Sequence, residues 1–230
     1  MKIGLLCLHG FSGGPYEVEP FINYIAENTD WLIEAPTLSG HGESLLLRGF
    51  TSKHWLMDAE LAYRSLAKRV DEVIIVGFSM GGLLAMYLAK RYKVKKLVLL
   101  SAAAKYVSPI QLLKDFKEMA TEAYRKQLKD NELFLRYQHK IGNVPVSATV
   151  EFMKVVKAIA PYYKDIKTPV YIVQGKMDGI VPYQTAKYLY DQLCATEKHL
   201  YFSDMGKHHI CFSEDCQDWF SHVLRFLKEG

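Results

Sequence analysis

Short runs of consecutive apolar residues alternate along this chain with longer stretches in which apolar residues recur every three to four positions. Ile3–Leu8, Trp31–Ala35, Val73–Val76, Leu97–Leu100, Val170–Val173 and Leu200–Phe202 have the length and composition of strands. Tyr16–Glu27, Ser52–Lys68, Gly82–Tyr92, Tyr183–Gln192 and Gln217–Lys228 are patterned as helices between and after them. Strands that are apolar throughout need cover on both faces, and strand–helix repetition provides it. The pattern therefore predicts an α/β chain with a mainly parallel sheet of about six strands and helices on both faces.

One interval breaks this rhythm. Between Ser101 and Thr168 no strand pattern occurs. Ile110, Leu113, Phe116, Met119, Ala120, Ala123 and Tyr124 mark one amphipathic helix, while Leu133–Leu135 and Phe152–Ile159 point to two more, punctuated by Pro145 and Pro161. Ordinary strand–helix crossovers are much shorter. The expected organisation is a single structural domain with its core in 1–104 and 168–230 and a helical cap inserted at 105–167, after the fourth strand.

The chemistry concentrates where predicted strands end. Gly77-Phe78-Ser79-Met80-Gly81-Gly82 joins a strand to a helix, so Ser79 sits on a sharp turn that lifts its hydroxyl above the carboxyl edge of the sheet. That turn strains the serine backbone and demands small residues two positions before and after it, met by Gly77 and Gly81. A serine hydroxyl needs a base, and the base needs a carboxylate to orient it. His208 and His209 follow the last predicted strand, and either could supply the imidazole. Asp178 follows the fifth strand in a loop marked by Gly179 and Pro182. The chain order Ser…Asp…His favours it over Asp204 as the acid. Acyl transfer also needs oxyanion donors. The N–H of Met80, after the nucleophile, is one candidate, and the N–H of Phe11 in the glycine-rich loop His9–Gly14 is the other. His9 and His41 are expected to organise loops.

Composition narrows the setting. The chain has 230 residues, half of them hydrophobic, and no run long enough to span a bilayer as a helix. The apolar start after Lys2 is too short for a signal peptide and lacks a small-residue cleavage site, so a cytoplasmic location is expected. Cys7, Cys194, Cys211 and Cys216 lack zinc-site spacing and are expected to be reduced structural thiols. The net charge of +4 is mild. Lys105–Lys140 carries eight Lys/Arg against five Asp/Glu, interleaved as on a solvated helical face, and no nucleic-acid-binding motif is present.

Taken together, Leu8-His9-Gly10-Phe11-Ser12-Gly13, Pro36 with Gly40-His41-Gly42, Gly77–Gly82, Gln174-Gly175 with Asp178 and Val181-Pro182, and Gly206 with His208 resemble the α/β-hydrolase superfamily. Within it the chain looks like the small bacterial carboxylesterase and monoacylglycerol lipase group. The resemblance implies a six-stranded parallel sheet lacking the first two strands of larger relatives, with a small helical cap after the fourth. It implies a Ser79–His208–Asp178 triad, His208 matching the family's base position and His209 remaining the alternative. It also implies hydrolysis of carboxylic esters, short- to medium-chain acyl esters or monoacylglycerols, through an acyl-enzyme without metal or organic cofactor. The expected partner is a small ester with an apolar acyl group. Rival readings are carbon–carbon bond hydrolysis or cofactor-free perhydrolysis on the same triad, or a ligand-binding signalling protein of the same fold.

Overall fold

In the computed structural model, residues 1–105 and 144–229 are described. The expected helices at Ile110–Tyr124 and Leu133–Leu135 lie outside them. Six strands, β1 (Ile3–Leu8), β2 (Leu32–Glu34), β3 (Glu72–Phe78), β4 (Leu97–Leu100), β5 (Val170–Gly175) and β6 (Lys198–Ser203), form one sheet in the order β2-β1-β3-β4-β5-β6. Every pairing is parallel. Six α-helices accompany the strands among the described residues: α1 (Glu19–Asn28), α2 (Ser52–Ala67), α3 (Met80–Arg91), α4 (Val146–Ile159), α5 (Gln184–Gln192) and α6 (Cys216–Lys228).

Period-two alternation divides each central strand between two cores. Leu6, Leu8, Val73, Ile75, Leu97, Leu99, Val170 and Ile172 face α2, α3 and α5. Leu5, Cys7, Ile74, Val76, Val98, Leu100, Tyr171 and Val173 face α1 and α6, where Phe21, Trp219 and Phe220 are fully buried. Both sides of these strands are therefore dry, which is why their sequences are apolar without interruption.

The strand order has a mechanical consequence. The chain steps from β1 outward to β2, then back past β1 to β3 and on to β6. Because crossovers are right-handed, α1 covers one face while α2, α3 and α5 cover the other. The reversal falls between β1 and β3, and loops leaving those two strands diverge to opposite faces, opening a crevice at their carboxyl ends. The glycine-rich loop follows β1 and Ser79 follows β3.

Element boundaries differ from the sequence expectation in informative places. The first helix does not begin at Tyr16: Pro15–Glu17 is a short 3₁₀ turn, and α1 starts at Glu19 with Pro20 in its first turn, where a missing N–H does no harm. Only Leu32–Glu34 of the second apolar run is a strand. It is an edge, half-buried, paired on one side with β1. The helix expected at Phe152–Ile159 extends back to Val146. It packs on α2 and α3 through Phe152, Val155, Val156 and Ile159. Its Glu151 carboxylate accepts hydrogen bonds from the Ser52 N–H and hydroxyl, each 3.0 Å, at the N-terminus of α2, where negative charge is favourable.

Candidate active site

The elbow between β3 and α3 is built by exclusion of side chains. Ser79 has φ 51° and ψ −114°, a strained backbone for a residue with a Cβ. A Cβ on Gly77 would stand 2.3 Å from the Gly81 carbonyl oxygen, and one on Gly81 would stand 2.1 Å from that of Leu8. Only hydrogen fits at either position. The strain is held by the sheet: the Ser79 N–H donates to the Leu100 carbonyl at 2.9 Å, and the Ser79 carbonyl accepts the N–H groups of Gly82 and Ala103.

Three side chains remote in sequence converge on this turn. His208 Nε2 is 3.1 Å from Ser79 Oγ. His208 Nδ1 is 2.9 Å from Asp178 Oδ2. His208 is itself buried, with its ring 5.0 Å from that of Phe78.

Asp178 is saturated with donors. Its Oδ1 accepts the N–H groups of Ile180 and Val181 at 2.8 and 2.9 Å, and its Oδ2 accepts Gln174 Nε2 at 2.9 Å beside His208. Its side chain is fully buried. Burial alone would raise its pKa, but the charge and hydrogen bond of His208, with the Val181 and Ile180 amides, outweigh that and hold the carboxyl below the usual range. Asp204, the other candidate acid, lies 76 % exposed and pairs with Lys176 at 2.5 Å, facing solvent rather than His208.

His209 turns the other way. Its Nε2 lies 3.3 Å from Glu17 Oε1, and its ring stands nearly perpendicular to that of His208. The two histidines are neighbours in sequence yet address different carboxylates.

The loop after β1 meets the elbow from the other side of the crevice. The Leu38 N–H donates to His9 Nε2 at 3.0 Å, which puts the imidazole proton on Nδ1, from which it donates to the Gly10 carbonyl at 2.8 Å. His9 is thus a neutral structural brace. His41 packs between His9 and Trp55, with its Nδ1 3.1 Å from the Ser39 carbonyl oxygen. Phe11 is buried, and its ring stacks on Phe152 of α4 at 5.3 Å, with Trp55 at 5.7 Å. The Met80 N–H is the first of α3, where no helical carbonyl can accept it.

Sequence reasoning passed over two side chains. Gln174 was noticed only within a motif, yet it is buried and donates to Asp178. Glu17 falls within the expected helix Tyr16–Glu27 with no role attached to it, yet it lies in the 3₁₀ turn before α1 and is 2 % exposed. The signal available was a carboxylate between Tyr16 and Val18, just after a Gly-Gly-Pro turn. The cysteines are unpaired, and burial pushes the thiols of Cys7 and Cys211 well up. No described helix is long and apolar enough to cross a membrane.

Comparison with known proteins adds a family. Residues 4–215 match the family described as "Serine aminopeptidase, S33". The thermostable monoacylglycerol lipase of Bacillus sp. (strain H-257) is 24 % identical over 207 residues, covering 86 % of this chain and 79 % of the relative. The carboxylesterase of Bacillus subtilis (strain 168) is 20 % identical over 229 residues, covering 98 % and 92 %. A solved structure of the metagenome-derived lipolytic enzymes LipS and LipT superposes with a TM-score of 0.79 at 21 % identity, covering 100 % of this chain and 94 % of that one.

Proposed function

The chain belongs to the serine aminopeptidase S33 family of α/β hydrolases, and from that membership we propose that it cleaves carboxylic esters with Ser79, His208 and Asp178 as its triad. The reading rests above all on the unbroken relay of 3.1 Å from Ser79 to His208 and 2.9 Å from His208 to Asp178. Ser79 Oγ attacks the ester carbonyl carbon as its proton passes to His208 Nε2. Asp178 fixes the imidazole tautomer and balances the imidazolium. The N–H groups of Phe11 and Met80 receive the oxyanion. The tetrahedral intermediate collapses, the C–O bond to the alcohol breaks, and His208 returns the proton to the leaving oxygen. Water then releases the acid by the same steps, leaving Ser79 as it began.

The proposed substrate carries an apolar acyl group, short- to medium-chain or a monoacylglycerol. Supporting this are the names of the two bacillus relatives and the apolar stack of Phe152 on Phe11 in the loop. Of the cap expected at 105–167, the described part that bears on this site is α4, whose Phe152 stacks on Phe11 of the loop after β1; 106–143 lie outside the described residues. The unpaired thiols fit a reducing, cytoplasmic setting.

The test is a chain-length series of chromogenic esters compared with monoacylglycerols, run beside folded Ser79→Ala. Turnover by the wild type and its loss in Ser79→Ala are expected. Turnover retained by the variant defeats the nucleophile assignment. Selective cleavage of a carbon–carbon β-diketone substrate, or labelling by no fluorophosphonate, turns the reading to its rivals.

A further inference from the structure

Glu17 is a carboxylate that the reaction does not use, and it is almost wholly enclosed. Its Oε2 accepts the Gly10 N–H at 2.8 Å. Its Oε1 meets His209 Nε2 at 3.3 Å. The loop is shaped around it: a Cβ on Gly13 would fall 2.0 Å from Oε2. His9 also approaches, with Nδ1 4.0 Å from Oε2, but its proton is directed to the Gly10 carbonyl. An enclosed carboxylate without donors would be strongly destabilising, so these contacts define its position.

What those contacts join is informative. Gly10 immediately precedes Phe11, whose amide is assigned above to the oxyanion. His209 immediately follows His208, the base. The two segments are 192 residues apart along the chain at the Glu17–His209 contact. Phe78, the residue before the nucleophile, lies against both imidazoles, 5.0 Å from His208 and 5.5 Å from His209. One buried side chain therefore touches the flank of the oxyanion loop and the flank of the base.

We propose that Glu17 and His209 form a clasp that sets the register between the oxyanion amide of Phe11 and the imidazole of His208. This rests on the hydrolase reading above. Glu17 is a positioning residue: it acts through the Gly10 amide and the His209 ring, and touches no reacting atom. The clasp acts on the transition state, where the oxyanion donors and the base must be in place together.

The experiment measures kcat and KM on a short ester for wild type, Ser79→Ala, Glu17→Ala, Glu17→Gln, His209→Ala and the Glu17→Ala/His209→Ala pair, with thermal midpoints for each. Glu17→Ala is expected to lower kcat about 30- to 100-fold, with KM within about twofold, as for a misplacement of about 1 Å. Glu17→Gln keeps an oxygen for the Gly10 N–H and should recover most of that loss. His209→Ala should cost about tenfold, and the double variant should be no slower than Glu17→Ala, since members of one unit are non-additive. Should Glu17→Ala not fold, His209→Ala and Glu17→Gln carry the decision. Folded variants with unchanged kcat, losses that add, or losses confined to KM overturn the clasp while leaving the hydrolase reading intact. A wild type that hydrolyses no ester overturns the hydrolase reading, and the clasp with it.

Discussion

His208 and His209 stand side by side, and each meets a buried carboxylate: Asp178 for one, Glu17 for the other. The difference lies beyond the histidine. His208 presents its second nitrogen to Ser79, so the Asp178 relay ends on the hydroxyl proposed to attack. The Glu17 relay ends on the backbone of the β1 loop. A carboxylate–imidazole pair is therefore not itself a catalytic signature. What the far nitrogen of the imidazole and the far oxygen of the carboxylate touch decides whether the pair moves protons or holds a loop.

The largest contrast should come from removing the two imidazoles in turn. If His208 is the base proposed above, His208→Ala is expected to lower kcat by about 10⁴-fold or more. The corresponding loss for His209 is the far smaller one given above. Comparable losses for both, measured on folded proteins, would erase the distinction between relay and clasp.

Asp178→Asn comes next. It keeps the shape but supplies the wrong donor to His208 Nδ1, and a kcat loss of about 10⁴-fold is expected. The same variant exposes a pH effect on stability. The folded Asp178 carboxyl titrates below the unfolded one. Its stabilisation is therefore present above the unfolded pKa and disappears as pH falls through the lower folded value. Denaturant midpoints of wild type and Asp178→Asn should differ most near neutrality and converge in acid. A gap that widened in acid would contradict the depressed pKa.

The smallest effect belongs to Asp204→Asn. Its carboxylate pairs with Lys176 in solvent rather than with His208, so kcat should stay within about twofold of wild type. A large loss would move the acid from β5 to β6 and undo the comparison.

The legibility of this molecule in its sequence was uneven, for a physical reason. Continuous apolar runs gave away β1, β3, β4 and β5 because burial on both faces leaves no alternative composition. The frayed outlines belonged to the edges: β2, with three half-buried residues, and β6, whose burial is partial along most of its length. Ser79 was visible because its turn imposes glycine at fixed neighbouring positions. Glu17 was much fainter: its flanking Tyr16 and Val18 after a Gly-Gly-Pro turn hint at enclosure, but the partners that seal it, the Gly10 amide and the His209 ring, are brought to it only by the fold.

The sequence by itself determined the alternation of strands and helices, the position of the elbow and the order in which serine, aspartate and histidine arrive. Each of these is encoded locally, in hydrophobic period or in the steric demands of a turn. Only the tertiary structure decided which of two adjacent imidazoles faces the hydroxyl and which carboxylate each one meets. Those contacts span 30, 129 and 192 residues of chain, and they follow from where the parallel strands deliver their loops rather than from any neighbour in sequence.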